Sequence, residues 1–104
     1  MKDRVGRNRY IAFQIDGGAD LQSGEVNRAL REAFDPHPKE ARPWLVHLRD
    51  GRGVVRVSHL YKDTAISLLR SLKIADDQGV RVRTLGTSGT IRGAVRKYLE
   101  PSDP

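Results

Sequence analysis

Apolar residues recur at two different spacings along this chain, and the order in which the two spacings follow one another limits its fold more than anything else. Arg9 to Ile15 alternates Ile11, Phe13 and Ile15 on one face and reads as a β-branched and aromatic strand, ended by Asp16-Gly17-Gly18. A helix is expected from about Gly24 to Phe34 with Ser23 as N-cap, because Val26, Ala29, Leu30, Ala33 and Phe34 form one stripe. Asp35-Pro36-His37-Pro38 stops it, since proline cannot continue a helix, and a polar connection runs on to Pro43. Two strands follow, Trp44 to Arg49 and Val54 to His59, with Asp50-Gly51-Arg52-Gly53 as the hairpin turn between them. The second helix is expected from about Thr64 to Asp77, with Asp63 as N-cap, Gly79 at C′ and a stripe of Ala65, Leu68, Leu69, Leu72 and Ala75. Val80 to Leu85 is a fourth strand, with Arg81 and Arg83 on its alternate face. A last helix spans about Ile91 to Leu99, its stripe formed by Ile91, Ala94, Val95, Tyr98 and Leu99.

The order is β-α-β-β-α-β followed by a C-terminal helix. That is the split β-α-β arrangement of an α+β, ferredoxin-like or RNA-recognition-motif-like sandwich. At 104 residues the chain is expected to form one domain over residues 9–99. Residues 1–8 read as a flexible basic arm, with Lys2, Arg4 and Arg7 against Asp3, and residues 100–104 as a tail. A domain of this size buries a modest core and leaves little for a deep catalytic cleft.

Lysine and arginine outnumber acids 19 to 13, and the sequence pI is about 10.2. Such a balance attracts polyanions. Cysteine is absent, which excludes a disulfide scaffold, a thiolate nucleophile and a cysteine-type zinc site. The charged N-terminal residues precede no long apolar run, so neither a signal peptide nor a membrane span is expected, and a cytoplasmic location is.

Thr87-Ser88-Gly89-Thr90-Ile91-Arg92 opens the last helix. A glycine among three hydroxyl residues before a helix presents backbone N–H groups and short donors to an anion. The helix behind it carries Arg92, Arg96 and Lys97 and no acid until Glu100, which favours phosphate. The plainer alternative is a strand-to-helix turn in which Ser88 or Thr90 caps the helix. Arg56, Arg81 and Arg83 are expected to share one open sheet face, either as a basic platform for RNA or as a solvated face with local ion pairs. The expected RNA contacts are therefore Arg56, Arg81, Arg83, Ser88, Thr90, Arg92, Arg96 and Lys97.

Aromatic residues argue against base stacking of the RNA-recognition-motif kind. Tyr10 is the only evident candidate, while Phe13, Phe34 and Trp44 read as core. Contact with the backbone and shape of a folded RNA suits the composition better. His37, His47 and His59 show no metal-ligand spacing, Ser88 has no evident histidine–acid partner, and Asp76-Asp77 read as solvated, so no catalytic or metal residues are assigned. Acylphosphatase chemistry would need an arginine-bearing loop after the first strand, where Gly17-Gly18-Ala19-Asp20 offers an acid.

Arg9-Tyr10-Ile11-Ala12-Phe13, Gly53-Val54-Val55-Arg56-Val57-Ser58-His59 and Leu85-Gly86-Thr87-Ser88-Gly89-Thr90-Ile91-Arg92 resemble archaeal ribonuclease P protein component 2, a family that includes the small subunit shared by eukaryotic ribonuclease P and ribonuclease MRP. The resemblance runs over about residues 9 to 98; Gln14 stands where relatives often carry glutamate. It implies an RNA-recognition-motif-like fold and a noncatalytic subunit that binds the catalytic domain of ribonuclease P RNA. The RNA removes 5′ leaders from precursor tRNA and carries the magnesium ions, with no cofactor on the protein. The implied protein partner is ribonuclease P component 3, a TIM-barrel-like subunit, in a heterotetramer in which component 2 copies meet at the centre. Leu60 and Tyr61 are open to two readings, a partner surface or a cap on the sheet edge. Two other functions fit the element order: a general, ribosome-associated module for structured RNA, and a small-molecule regulatory domain of ACT type.

Overall fold

The computed structural model describes residues 8–17, 22–35, 43–72 and 81–99. Its elements are β1 (Asn8–Asp16), α1 (Ser23–Ala33), β2 (Trp44–Arg49), β3 (Arg52–Ser58), a 3-10 turn (His59–Tyr61), α2 (Lys62–Arg70), β4 (Arg81–Ser88) and α3 (Ile91–Ala94), which runs on as a π-helical stretch (Val95–Leu99). The four strands form one antiparallel sheet in the order β2-β3-β1-β4. This is the split β-α-β sandwich expected from the element order, with the added C-terminal helix in place.

Alternation along β1 divides the core in two. Ile11, Phe13 and Ile15 face α1 and α2 and meet Val26, Ala29, Leu30 and Phe34 from α1 and its end, Val55 and Val57 from β3, Ala65, Leu69 and Leu72 from α2 and its end, and Val82 from β4. Full burial of side chains such as Phe13, Phe34 and Leu30 is worth roughly 1.5–3 kcal/mol each, so this cluster holds the fold together. Ala12 and Val54, on the opposite face, pack with Ala94, and around them lie Tyr10, Val46, Leu85, Val95, Tyr98 and Leu99. The second face is therefore not open: the C-terminal helix covers its centre.

One glycine makes that covering possible, and a second makes room for Phe13 on the first face. A Cβ at Gly86 would collide with the Tyr98 ring, whose hydroxyl donates to the Thr87 carbonyl at 3.4 Å. At Gly53 a Cβ would stand 2.7 Å from Phe13 Cζ and 2.6 Å from the His47 carbonyl oxygen. Leu85 is the extra residue of a β-bulge, since Ala12 pairs with Gly86 and Phe13 with Thr84, and it joins the second cluster.

Several boundaries differ from the expected ones, each for a local reason. Helix α1 begins at Ser23, so Gln22 takes the N-cap position, and its N–H donates to Glu25 Oε1 at 3.0 Å. The hairpin turn is only Asp50-Gly51, with φ of 53° and 80°; such a two-residue turn matches strand twist, and Arg52 and Gly53 therefore join β3. Ser58 Oγ accepts from Leu60 N at 3.4 Å and starts a 3-10 turn, so α2 follows two residues before the expected start and Asp63 lies inside it. Helix α2 ends at Arg70 rather than near Asp77, where the Ser71 hydroxyl donates to the Ser67 and Leu68 carbonyls. The expectations for the N-terminal arm up to Arg7, Gly18-Ala19-Asp20, Pro36 to Pro38, Ala75 to Val80 and the tail lie outside the described residues. Trp44, expected in the core, is 55% exposed because it opens an edge strand. Ile91 is likewise exposed on the outer side of its helix.

Candidate nucleic-acid interface

The antiparallel register gathers one end of every strand into a row. Trp44 of β2 pairs with Arg56 of β3, Arg56 with Tyr10 of β1, and Tyr10 with Ser88 of β4. All four belong to the second face, and Ser88 leads directly into the turn that starts the C-terminal helix. Residues far apart in sequence thus reach one edge of the molecule because strand ends coincide.

Strand β4 extends three residues beyond its expected end, so Thr87 and Ser88 are in the sheet and only Gly89-Thr90 form the turn. Ser88 Oγ accepts from Thr90 N at 3.3 Å, and Thr90 Oγ1 accepts from Gly93 N at 3.0 Å, while the Thr90 carbonyl accepts from Ala94 N at 3.1 Å. Thr90 is thus the N-cap. A Cβ at Gly93 would stand 2.6 Å from Ser88 Oγ and 2.9 Å from Thr90 Oγ1, so this glycine makes room for both hydroxyls. Each hydroxyl accepts inside the turn and keeps its own hydrogen to donate outward. The Arg9 guanidinium lies beside the turn, its Nη1 3.3 Å from the place of a Cβ on Gly89.

Arg92, Arg96 and Lys97 are exposed on the C-terminal helix. Arg92 and Arg96 line a shallow groove with Ile91 and Val95. At the far end of the same sheet face, Arg83 Nε donates to Asp16 Oδ2 at 3.0 Å and its Nη2 to Asp16 Oδ1 at 3.3 Å. Gln14 Nε2 donates to the same Asp16 Oδ1 at 2.8 Å. Arg81 pairs in register with Asp16 and is exposed.

The face therefore carries two cationic patches and not one platform. Arg56, Ser88, Thr90 and Arg92 gather at one end with Arg9. Arg81 and Arg83 stand at the other, roughly 20 Å away along β4, with the C-terminal helix between them. The ion pairs of arginine among the described residues are Arg83 with Asp16 and Arg49 with its neighbour Asp50, so Arg56, Arg81, Arg92, Arg96 and Lys97 have no acidic partner among the described residues. Guanidinium groups in this state match phosphate oxygens in geometry and charge. The described residues hold no group of three or more His, Asp or Glu able to bind a metal ion.

Two residues escape a sequence reading. Arg9 looks like an ordinary first strand residue, and only the Tyr10–Ser88 register brings it to Gly89. Trp44 looks like core, and only its place on an edge strand exposes it.

The Rpp14/Pop5 family model matches residues 9–99, which includes every described element except the first residue of β1. The chain belongs to the Rpp14/Pop5 family. Among family relatives, ribonuclease P protein component 2 of Aeropyrum pernix is 36% identical over 110 residues, covering 97% of this chain and 89% of the relative. The proteins of the same name from Thermococcus kodakarensis and Methanocaldococcus jannaschii are each 33% identical, covering 89% and 94% of this chain and 83% and 77% of their own lengths. A chain in the cryo-EM structure of yeast ribonuclease MRP superposes with a TM-score of 0.65 at 19% identity, over 93% of this chain and 81% of that one, and so shares the fold. The Rpp14/Pop5 match thus spans the sheet, both helices behind it and the C-terminal helix in front.

Proposed function

We propose that this chain is a protein subunit of ribonuclease P that binds and stabilises the RNA component for removal of 5′ leaders from precursor tRNA. The observation that carries the reading is the set Arg56, Arg92, Arg96 and Lys97, exposed and without an acidic partner among the described residues, on a fold whose named relatives are ribonuclease P protein component 2. Cations without acidic partners lower the repulsion between phosphates of closely packed RNA strands. Each neutralised phosphate also releases counterions, which makes affinity fall steeply with salt. The protein then acts on rate through the population of the active RNA conformation. The contacts in this reading are Arg56, Ser88, Thr90, Arg92, Arg96 and Lys97, with Arg81 and Arg83 at the second patch. The magnesium ions belong to the RNA, and ribonuclease P component 3 is the protein partner, in a heterotetramer.

Binding of the full chain to transcribed ribonuclease P RNA, against an unrelated structured RNA of similar length, tests the proposal. Tighter binding to the former, with protection of its catalytic domain from chemical probing, is the expected result. Equal affinity for both RNAs, with no localised protection, contradicts it.

A further inference from the structure

The exposed indole of Trp44 is not absorbed by the backbone contacts just described. It lies at the start of edge strand β2, 55% exposed, and outside both apolar clusters. No hydrogen bond or ring contact with another described residue engages it. Its cross-strand neighbour on the same face is Arg56, which is exposed and makes no ion pair among the described residues. Directly paired residues on neighbouring strands have their Cβ atoms about 5 Å apart, so a ring and a guanidinium are offered side by side. On the other side of the strand, Trp44 borders a cleft between α1 and β2 lined by Asn27, Leu30, Arg31, Pro43 and Leu45.

An apolar protein surface laid on Trp44 and its neighbour would bury Arg56 without a counter-charge among the described residues, which is costly. A nucleotide presents a flat base to the ring and a phosphate to the Arg56 guanidinium, so it satisfies both halves of the patch at once. We propose that Trp44, with Arg56 beside it, is a stacking platform for an unpaired nucleotide of the bound RNA. This rests on the RNA-binding reading above and adds to it a base contact, at a place distinct from the turn and the C-terminal helix. It also revises the expectation from composition that the chain lacks an aromatic surface for bases.

Trp44 is the only tryptophan of the chain, so its emission reports on this one position. The full chain is titrated with a labelled single-stranded oligouridylate and with a ribose-phosphate oligomer of equal length lacking bases, following anisotropy of the label and Trp44 emission together. The expected result is saturable quenching by the oligouridylate in step with binding, and little quenching by the baseless oligomer. Trp44→Ala weakens oligouridylate binding roughly tenfold with an unchanged salt slope, and Trp44→Phe recovers most of the loss. Arg56→Ala weakens binding and flattens the salt slope. Binding seen by anisotropy without any change in Trp44 emission, equal quenching by the baseless oligomer, or full affinity in Trp44→Ala overturns the stacking platform while leaving RNA binding intact. Quenching by purified component 3 with none by RNA assigns Trp44 to a protein interface and overturns it as well. Absence of any binding to RNA removes the underlying reading together with this inference.

Discussion

The ring of Tyr98 fills the space that a side chain on Gly86 would need. This contact seats the C-terminal helix on the sheet, because it lets an aromatic ring rest on strand backbone next to Ala12 and Val54. Gly86→Ala should therefore cost about 1–3 kcal/mol through overpacking, despite replacing glycine in a strand. Thermal melts of Gly86→Ala, Tyr98→Leu and the double variant check this. The double variant should lose clearly less than the sum of the two single losses, and strict additivity would show that the residues do not compete for space.

Thr90 holds the start of the same helix through its bond from Gly93 N. Thr90→Ala should cost about 1 kcal/mol, and Thr90→Ser should restore most of it, as read from denaturant midpoints. RNA affinity measured alongside separates the cap from any outward donation: a loss larger in binding than in stability places the hydroxyl at the RNA.

Asp16 holds the Arg83 guanidinium and would compete with a phosphate for it. The side chains are 60% and 42% exposed for Arg83 and Asp16, so their bond is worth only about 0.2–1 kcal/mol and is screened by salt. Asp16→Asn should thus lower stability slightly while raising affinity for RNA and steepening its salt dependence by up to about one unit. An affinity that does not rise would assign Arg83 to structure alone.

The fold was largely legible because periodicity is local. Phe13 and Phe34 are readable as core from their stripes, and the order of stripes implies the split β-α-β class. What was not legible depends on contacts between distant segments. The stripe of Ala94, Val95, Tyr98 and Leu99 announces a buried face without saying that it covers the second side of the sheet, where an open platform is otherwise expected. Arg83 reads as a free cation until the fold brings Asp16 to it across a separation of 67 residues. Trp44 has the size and apolarity of a core residue, and only the strand order places it at an edge. The turn residues Ser88 and Thr90 were legible as candidate caps, and Thr90 takes that place; which of the two does so follows from where β4 ends, which local propensity does not determine.

Arg92 and Arg96 are exposed and border one groove, so their removal should leave the fold alone and strike RNA binding. Arg92→Ala with Arg96→Ala should shift stability by less than about 0.5 kcal/mol. The slope of log affinity against log salt should flatten by about 1.5–2 units, for two lost phosphate contacts. Parallel melts and salt titrations measure both.

Leader removal from precursor tRNA at low magnesium, with and without the catalytic RNA, bears most directly on the central claim that the chain supplies cationic surface to an RNA enzyme. With RNA and component 3 present, the wild-type chain should support cleavage at a magnesium concentration where the Arg92→Ala, Arg96→Ala variant does not, and added magnesium should rescue the variant. Cleavage by the chain free of RNA, or the same magnesium requirement for both proteins, would contradict the account.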